Sequence, residues 1–493
     1  MLLDMAADGF ADRTLVGTRD DGLTAQDLRH AVHTGADLVA RSGATSVIHL
    51  AANGPAFPVA LFVAARAGVP FVPVNYRLGA EQLSALLANH TGALVIADDH
   101  HAPLLPPVAA LSCTPSAWLD ATVAKTQAEH DASPPPGPAD PAAVIIYTSG
   151  TTSAPKGVVL RHDNLVSYVI GSVEFGSAEP DDAALMCVPP YHIAAVSNVL
   201  TNIYAGRRLV VLDTFSPKRW LELVRAERVT NAMVVPTMLA RLMEEQDADR
   251  SVPTLRTLAY GGAAMPPRVI ERALEEWPHV GFVGAYGLTE TSSTISVLGP
   301  EDHRQALAAE DPGARARLHS AGRPIPGIEI EIRGEDGAPV PPGASGRVWV
   351  RGAQVSGKYA GVASEVTDGW FDTRDLGRRD RAGFVFVEGR ADDTIIRGAE
   401  NIAPAEIEDV LLRQPGVADA VVVGVPDEEW GQRIEAAVVP ARGVSLDGED
   451  LRTEVRRLLR GSKTPDRIVV WDEIPRTATG KVLRHEVRSE LSR

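Results

Sequence analysis

Three clusters of residues in this sequence carry types and spacings that can do chemistry. The first is Thr148, Ser149, Gly150, Thr151 and Thr152, followed by Lys156 and placed directly after the apolar run 143–147. Small and hydroxylated residues let main-chain amides close around a polyphosphate, and one lysine adds a positive charge. The spacing is not that of a Walker A loop: Gly150 stands six residues before Lys156, and no Ser or Thr follows the lysine. An ordinary Ser/Thr-rich turn is the plainer alternative.

The second cluster is Tyr286, Gly287, Thr289 and Glu290, where a carboxylate suits a hard cation that bridges phosphates. Just upstream, an apolar strand ends in Gly261, Gly262, Ala263 and Ala264, small side chains that let backbone approach a flat ring. The third cluster is spread out: Asp375 among arginines, Arg390 after Gly389, and Lys481 within the stretch 475–484. Taken singly, each reads as a turn residue or a solvated charge.

Taken together, the stretches resemble the adenylate-forming superfamily of acyl-CoA synthetases, nonribosomal-peptide adenylation domains and firefly luciferase. Residues 147–157 are similar to its phosphate loop, with Ser153 where Gly is usual, and 284–290 to its Gly-Tyr-Gly-x-Thr-Glu motif. Residues 259–264 resemble its adenine-binding segment, and 370–377 its Trp-x-x-Thr-Gly-Asp motif, with Arg374 in place of Gly. Residues 389–408 resemble its hinge motif, with Ala399 where a second Gly is common, and 475–484 its C-terminal lysine motif. Six matches in the right order are far more specific than any one of them.

The resemblance implies roles. Tyr286 lies against adenine, Thr289 bonds the α-phosphate, Glu290 holds Mg²⁺, Asp375 accepts the ribose hydroxyls, Arg390 meets ribose or phosphate, and Lys481 reaches nucleotide and substrate carboxylate. ATP and Mg²⁺ are the expected cofactors. The implied reaction joins a carboxylate to AMP with loss of pyrophosphate, then passes the acyl group to coenzyme A. An amine or a carrier-protein thiol is the alternative acceptor. The same clefted architecture serves both halves if the C-terminal domain rotates between them.

By resemblance the acyl pocket is bordered by Tyr191, His192, residues 193–198, 234–236 and 284–285. His192 is either a gate on the carboxylate path or a hydrogen-bonded core histidine. Ala285 stands where Gly is usual and favours short, branched or flat aromatic acids over long chains. The segment 426–433 resembles the stretch lining the CoA side of the cleft, and it reads equally as a turn between two strands.

The elements that must position these residues follow an α/β pattern: strands at 46–51, 71–74 and 93–97 alternate with helices at 58–67 and 80–89. The Pro-rich stretch 133–138 reads as a surface connection. Residues 327–333, 346–351 and 383–387 alternate like a small β layer. Beyond them come a helix at 405–413, strands at 417–425 and 436–439, a helix at 451–459 and a strand at 467–470. The expected fold is therefore α/β: a large multi-sheet N-terminal domain, residues 1–389, a hinge at 390–393, and a small mobile α+β C-terminal domain, 394–493. The active site falls in the cleft between them.

Composition narrows the rest. A chain of 493 residues exceeds one compact core, and 45% hydrophobic with 23% charged residues is globular. Lys and Arg number 48 against 64 acids, a net −16 that argues against a broad nucleic-acid face. Cys113 and Cys187 form no CxxC pair, and no apolar run reaches a membrane span, so a reducing, cytoplasmic setting is expected. A monomer or homodimer is expected, with small molecules as partners.

Overall fold

The computed structural model describes the chain apart from residues 106–108, 124–141, 149–155, 246–248, 398–399, 428–429, 460, 478–479 and 493. The connection expected at 133–138 lies outside the described residues.

Short apolar runs that are buried at every position demand cover on both faces, which is the signature of parallel sheets. Val47–Leu50, Leu94–Ala97 and Ala183–Met186 are such runs. The first two belong to a six-stranded sheet ordered Leu111–Cys113, Leu94–Ala97, Val47–Leu50, Phe71–Pro73, Ala142–Thr148, Lys156–Arg161. All its pairings are parallel except the last, a hairpin. A nine-stranded sheet runs from Arg323–Pro324 through Gly281–Leu288, Thr257–Gly261, Asn231–Val234 and Ala183–Met186 to the edge Gly22–Thr24.

One apolar core joins the two sheets: Val47, Phe71 and Leu94 of the first share it with Leu185, Leu209 and Val234 of the second. The helix Ala56–Ala67 is buried from Ala56 to Ala64, as its unbroken apolar sequence requires. Asn53, following the strand Val47–Leu50, is buried and donates to the carbonyls of Val188 and Leu212 at 2.9 and 3.3 Å. One amide thus ties the carboxyl ends of the two sheets together.

The small β layer is a four-stranded antiparallel sheet, Glu329–Arg333, Ser345–Arg351, Phe371–Arg379 and Val385–Arg390. Its last strand was expected at 383–387. It begins later because Gly383 sits at φ +88° in a turn, where the Asp380 carboxylate accepts the amides of Ala382 and Phe384, both at 2.9 Å.

The C-terminal part is a separate, smaller α+β unit. Val417–Asp427, Gly431–Pro440 and Arg467–Val470 form its sheet, and the helices Pro404–Leu412, Gly448–Leu458 and Arg484–Leu491 pack on it. Alternate residues feed two cores: Val422, Ile434 and Ala436 meet Ile407, Leu411 and Val455, while Val421, Val423 and Ala437 meet Ile474, Val487 and Leu491. The strand expected at 436–439 is thus the end of a longer arm, Gly431–Pro440, which pairs antiparallel with Val417–Asp427 from Asp427 opposite Gly431 to Val417 opposite Pro440. Arg268 of the large unit donates to the carbonyls of Arg413, Gln414 and Val417, at 3.2, 2.6 and 3.2 Å, and fastens one unit to the other.

Candidate active site

The carboxyl ends of the parallel strands and the small β layer converge on one region. Asp375 is 5% exposed and held on three sides. Tyr286 Oη donates to its Oδ2 at 2.5 Å, Arg390 Nη1 donates to its Oδ1 at 3.0 Å, and its own amide donates to Thr373 Oγ1 at 3.1 Å. Burial raises the Asp375 carboxyl above the usual aspartate range; Arg390, the Tyr286 phenol and the Lys481 ammonium all pull it back down. Lys481 therefore lies close enough for its charge to act on Asp375, although 106 residues separate them in the chain.

Lys481 is exposed on a hairpin built by its neighbours. Thr477 N donates to Lys481 O at 2.8 Å, Lys481 N donates to Thr477 Oγ1 at 3.1 Å, and Arg476 Nη1 donates to Gly480 O at 2.6 Å. Gly480 has φ +81°, and a Cβ there would lie 3.0 Å from the Thr237 side chain, so a side chain at this position would be strained and crowded where the hairpin meets the large unit.

Glu290 stands at the other end of the region. Tyr359 Oη donates to Glu290 Oε1 at 2.8 Å, and the Tyr359 ring lies 5.7 Å from Lys156 Nζ. Burial and the Glu290 charge raise the phenol of Tyr359 well above its ordinary range. Tyr359 comes here because residues 357–360 pair with the strand Lys156–Arg161: Val159 N donates to Lys358 O at 2.9 Å and Ala360 N to Gly157 O at 2.8 Å. Thr148 and Lys156 face each other across the hairpin, Thr148 Oγ1 to Lys156 O at 3.5 Å. Ser149, Gly150, Thr151 and Thr152 lie outside the described residues.

The Thr289–Glu290 turn is set by groups that no motif announced. Thr291 is fully buried; its Oγ1 accepts the Leu288 amide at 3.0 Å and donates to Ser293 O at 2.9 Å. Gln354 donates to the carbonyls of Thr291 and Thr294 at 2.9 and 2.8 Å, and Ser292 Oγ donates to Gln354 O at 2.8 Å. Gly287 is demanded by contact: a Cβ there would lie 1.8 Å from Ser293 O.

At the adenine-like segment the strand Thr257–Gly261 ends where expected. A Cβ on Gly261 would lie 2.5 Å from Ala285 O, and Gly262 has φ +86°, so both glycines are sterically required. Ala263 and Ala264 follow in the turn to the helix Pro267–Glu276. Beneath them His303 is fully buried: its Nδ1 donates to Gly299 O at 2.7 Å, so its Nε2 accepts from Tyr260 Oη at 2.8 Å.

His192 caps the helix Ile193–Ala205 with its carbonyl, and burial lowers its imidazole to about 4. Among the described residues neither His192 Nε2 nor the adjacent Tyr191 Oη, both buried atoms, has a hydrogen-bond partner. The two rings lie 4.7 Å apart, and Tyr76 packs edge-on against Tyr191 at 5.6 Å.

Arg374 occupies the left-handed region, φ +61°, which explains why glycine is the usual occupant of that position. Its guanidinium pairs with Glu365 at 3.3 Å, and Asp372 Oδ1 accepts its amide at 2.8 Å, which together hold the strained backbone.

Comparison with known proteins decides the family. Residues 3–360 match the AMP-binding enzyme family and residues 406–481 its C-terminal domain. The chain belongs to the AMP-binding enzyme family. It is 36% identical to a feruloyl-CoA synthase of an Amycolatopsis species, over 90% of this chain and 88% of that protein. Among solved structures it resembles the o-succinylbenzoate CoA synthetase MenE of Bacillus subtilis bound to its acyl-adenylate, with TM-score 0.83, 28% identity and coverage of 99% and 97%. It also resembles the amide bond synthetase McbA of Marinactinospora thermotolerans, with TM-score 0.84, 26% identity and 99% coverage of both chains. This AMP-binding chain is an ATP-dependent, AMP-forming ligase with the family's mixed α/β fold, a large N-terminal and a small C-terminal domain. Among the described residues no helix is long and apolar enough to cross a membrane.

Proposed function

We propose that this ligase activates an aromatic carboxylic acid as its acyl-adenylate and transfers the acyl group to coenzyme A. The observation that carries the reading is the convergence of Asp375, Tyr286, Arg390 and the Lys481 charge in one place, from four separate stretches of chain. The aromatic acid and the thiol acceptor are argued from the 36% identity to a feruloyl-CoA synthase. Support for a flat acid also comes from Ala285, which adds a methyl group where the family motif usually has Gly.

In this reading Asp375 accepts the ribose hydroxyls, with Tyr286 and Arg390 fixing its carboxylate. Tyr286 lines the adenine edge together with Gly261, Gly262, Ala263 and Ala264. The hydroxylated loop from Thr148 to Thr152, with Lys156, surrounds the outer phosphates, and Thr289 bonds the α-phosphate. A substrate carboxylate oxygen attacks the α-phosphorus, the bond to the bridging oxygen breaks and pyrophosphate leaves. A carboxylate needs no base for this; Lys481 and Lys156 act by position and charge.

Glu290 fits a hard divalent cation. Its Oε1 accepts from Tyr359, its Oε2 makes no such bond to Tyr359, and one or two carboxylates are what Mg²⁺ commonly uses beside phosphates. Mg²⁺ bound there supplies charge neutralisation on the phosphates. In the second half the CoA sulfur attacks the acyl carbon and AMP leaves. The 390–393 segment suits a pivot between the halves: Arg390 is tied to Asp375 of the large unit, while Asp393 faces Arg484 of the small one at 3.5 Å.

The test is thioester formation followed by mass, with MgATP and a panel of hydroxycinnamic, benzoic and fatty acids, adding CoA or an amine in turn. Acyl-CoA formed fastest from hydroxycinnamic acids is the expected result. AMP release without thioester, but with amide when an amine is supplied, moves the assignment to the McbA-like reaction.

A further inference from the structure

We propose that Asp98, His100 and His101 form a binding site for a Zn²⁺-like transition-metal ion. The three residues leave the carboxyl end of the strand Leu94–Ala97 and enter the 3₁₀ turn Asp99–Leu104. Each offers a ligand atom, and these atoms all lie within 4.8 Å of one another. Tetrahedral Zn²⁺ with bonds of roughly 2.0–2.2 Å sets ligand atoms about 3.4 Å apart, so the widest separation has to shrink by at most about 1.4 Å.

The decisive feature is the tautomer of His101. This side chain is 5% exposed, and its Nε2 lies 3.0 Å from the Tyr76 carbonyl. A carbonyl only accepts, so Nε2 carries the proton and Nδ1 carries the lone pair. That Nδ1 is buried and has no partner among the described residues. A histidine whose outer nitrogen donates to a backbone carbonyl while the other is a buried, unused lone pair is arranged as metal-ligating histidines are.

The rest of the loop supports the same geometry. Asp98 is anchored by backbone: its Oδ2 accepts the Ala52 amide at 3.2 Å, and its carbonyl accepts the His101 amide at 2.9 Å. One carboxylate oxygen is thereby held and the other remains for an ion. His100 is exposed, and its ring centroid lies 3.8 Å from that of His101. Its exposure gives the ion a way in and leaves coordination positions open to water. Two imidazoles with one carboxylate suit Zn²⁺ and its neighbours, whereas Mg²⁺ prefers oxygen alone, so this site and Glu290 select different ions.

The site also has a route to the cleft. The Tyr76 carbonyl orients His101, and the Tyr76 ring packs against Tyr191, the neighbour of His192. An ion on His101 therefore fixes the segment that carries Tyr76, on the acyl side of the site.

The experiment uses the untagged full chain, stripped with chelator, desalted and titrated calorimetrically with ZnCl₂ in saturating MgCl₂. One Zn²⁺ per chain, not displaced by Mg²⁺ and accompanied by a higher Tm, is expected. His100→Gln alters an exposed side chain and should leave the metal-free Tm unchanged while weakening Zn²⁺ tenfold or more. Asp98→Asn should weaken it similarly, and Glu290→Gln should leave it unchanged. Zn²⁺ bound with wild-type affinity by His100→Gln, or no saturable binding up to millimolar Zn²⁺, overturns the proposal.

Discussion

Tyr286 and Asp375 are 89 residues apart in the chain, yet the phenol of one donates to the carboxylate of the other across 2.5 Å. The carboxylate is thereby aimed before any nucleotide arrives. Asp375→Asn should weaken ATP binding by about 1.5–3 kcal/mol, the worth of hydrogen bonds to a charged group. Because burial holds the Asp375 carboxyl above the usual range, its charge is present above that raised value and lost as pH falls through it. KM for ATP should therefore rise on the acid side in the wild type, and this arm should be missing in Asp375→Asn. A nucleotide affinity unchanged in the variant would show that the ribose binds elsewhere.

Lys481→Ala should slow adenylate formation by roughly 10²–10³-fold or more, the usual cost of one preorganised charge-stabilising donor. The side chain is exposed, so Tm should be unaffected. Thioester formation from synthetic acyl-AMP should largely survive. An equal loss in both half-reactions, read by single-turnover assays, contradicts the role given to this lysine.

Tyr359→Phe removes the hydrogen bond to Glu290 but keeps the ring beside Lys156. The expected effect is a loss of about tenfold in kcat/KM for MgATP, near the lower end for a bond to a charged partner. The Mg²⁺ concentration giving half-maximal rate should rise too. If neither moves, Tyr359 is packing and nothing more.

His49 and His192 are both lowered to about 4 by burial, against an ordinary value of 6.5. The unfolded chain therefore takes up protons first as pH falls. Stability should be full above pH 6.5 and decline towards pH 4, by about 3 kcal/mol per histidine. Both ring nitrogens of His49 are buried without partners among the described residues, and its ring packs against Phe57 and Phe71. His49→Leu should thus flatten the acid-side loss of urea midpoint without touching turnover.

Arg374→Gly should relieve the left-handed backbone strain at φ +61°, leaving Tm unchanged or higher after the entropic cost of glycine. A β-branched residue cannot relieve it. Arg374→Val should lower stability by about 1–3 kcal/mol, the cost of a strained backbone conformation. Thermal melts of the two variants separate backbone strain from loss of the Glu365 ion pair.

What the sequence determined by itself was order and chemistry. Apolar runs of the right length gave strands at Val47–Leu50 and Leu94–Ala97, because burial on both faces leaves its mark on every residue of such a run. Gly261 and Gly287 were legible as residues because no side chain fits at those points, although what they made room for was not. Pairings across long separations were decided only by the fold. Nothing near Tyr359 marks it as the partner of Glu290, since it arrives through the pairing of 357–360 with the strand Lys156–Arg161. Gln354 and Thr291 were silent for the same reason: a buried side chain that holds a turn has no period and no motif. His192 could be read either way from sequence, and only the fold showed that its Nε2 is buried without a partner among the described residues. Spacing along a chain records which side chains are available, and three-dimensional packing sets which of them share a charge, a proton or a cavity.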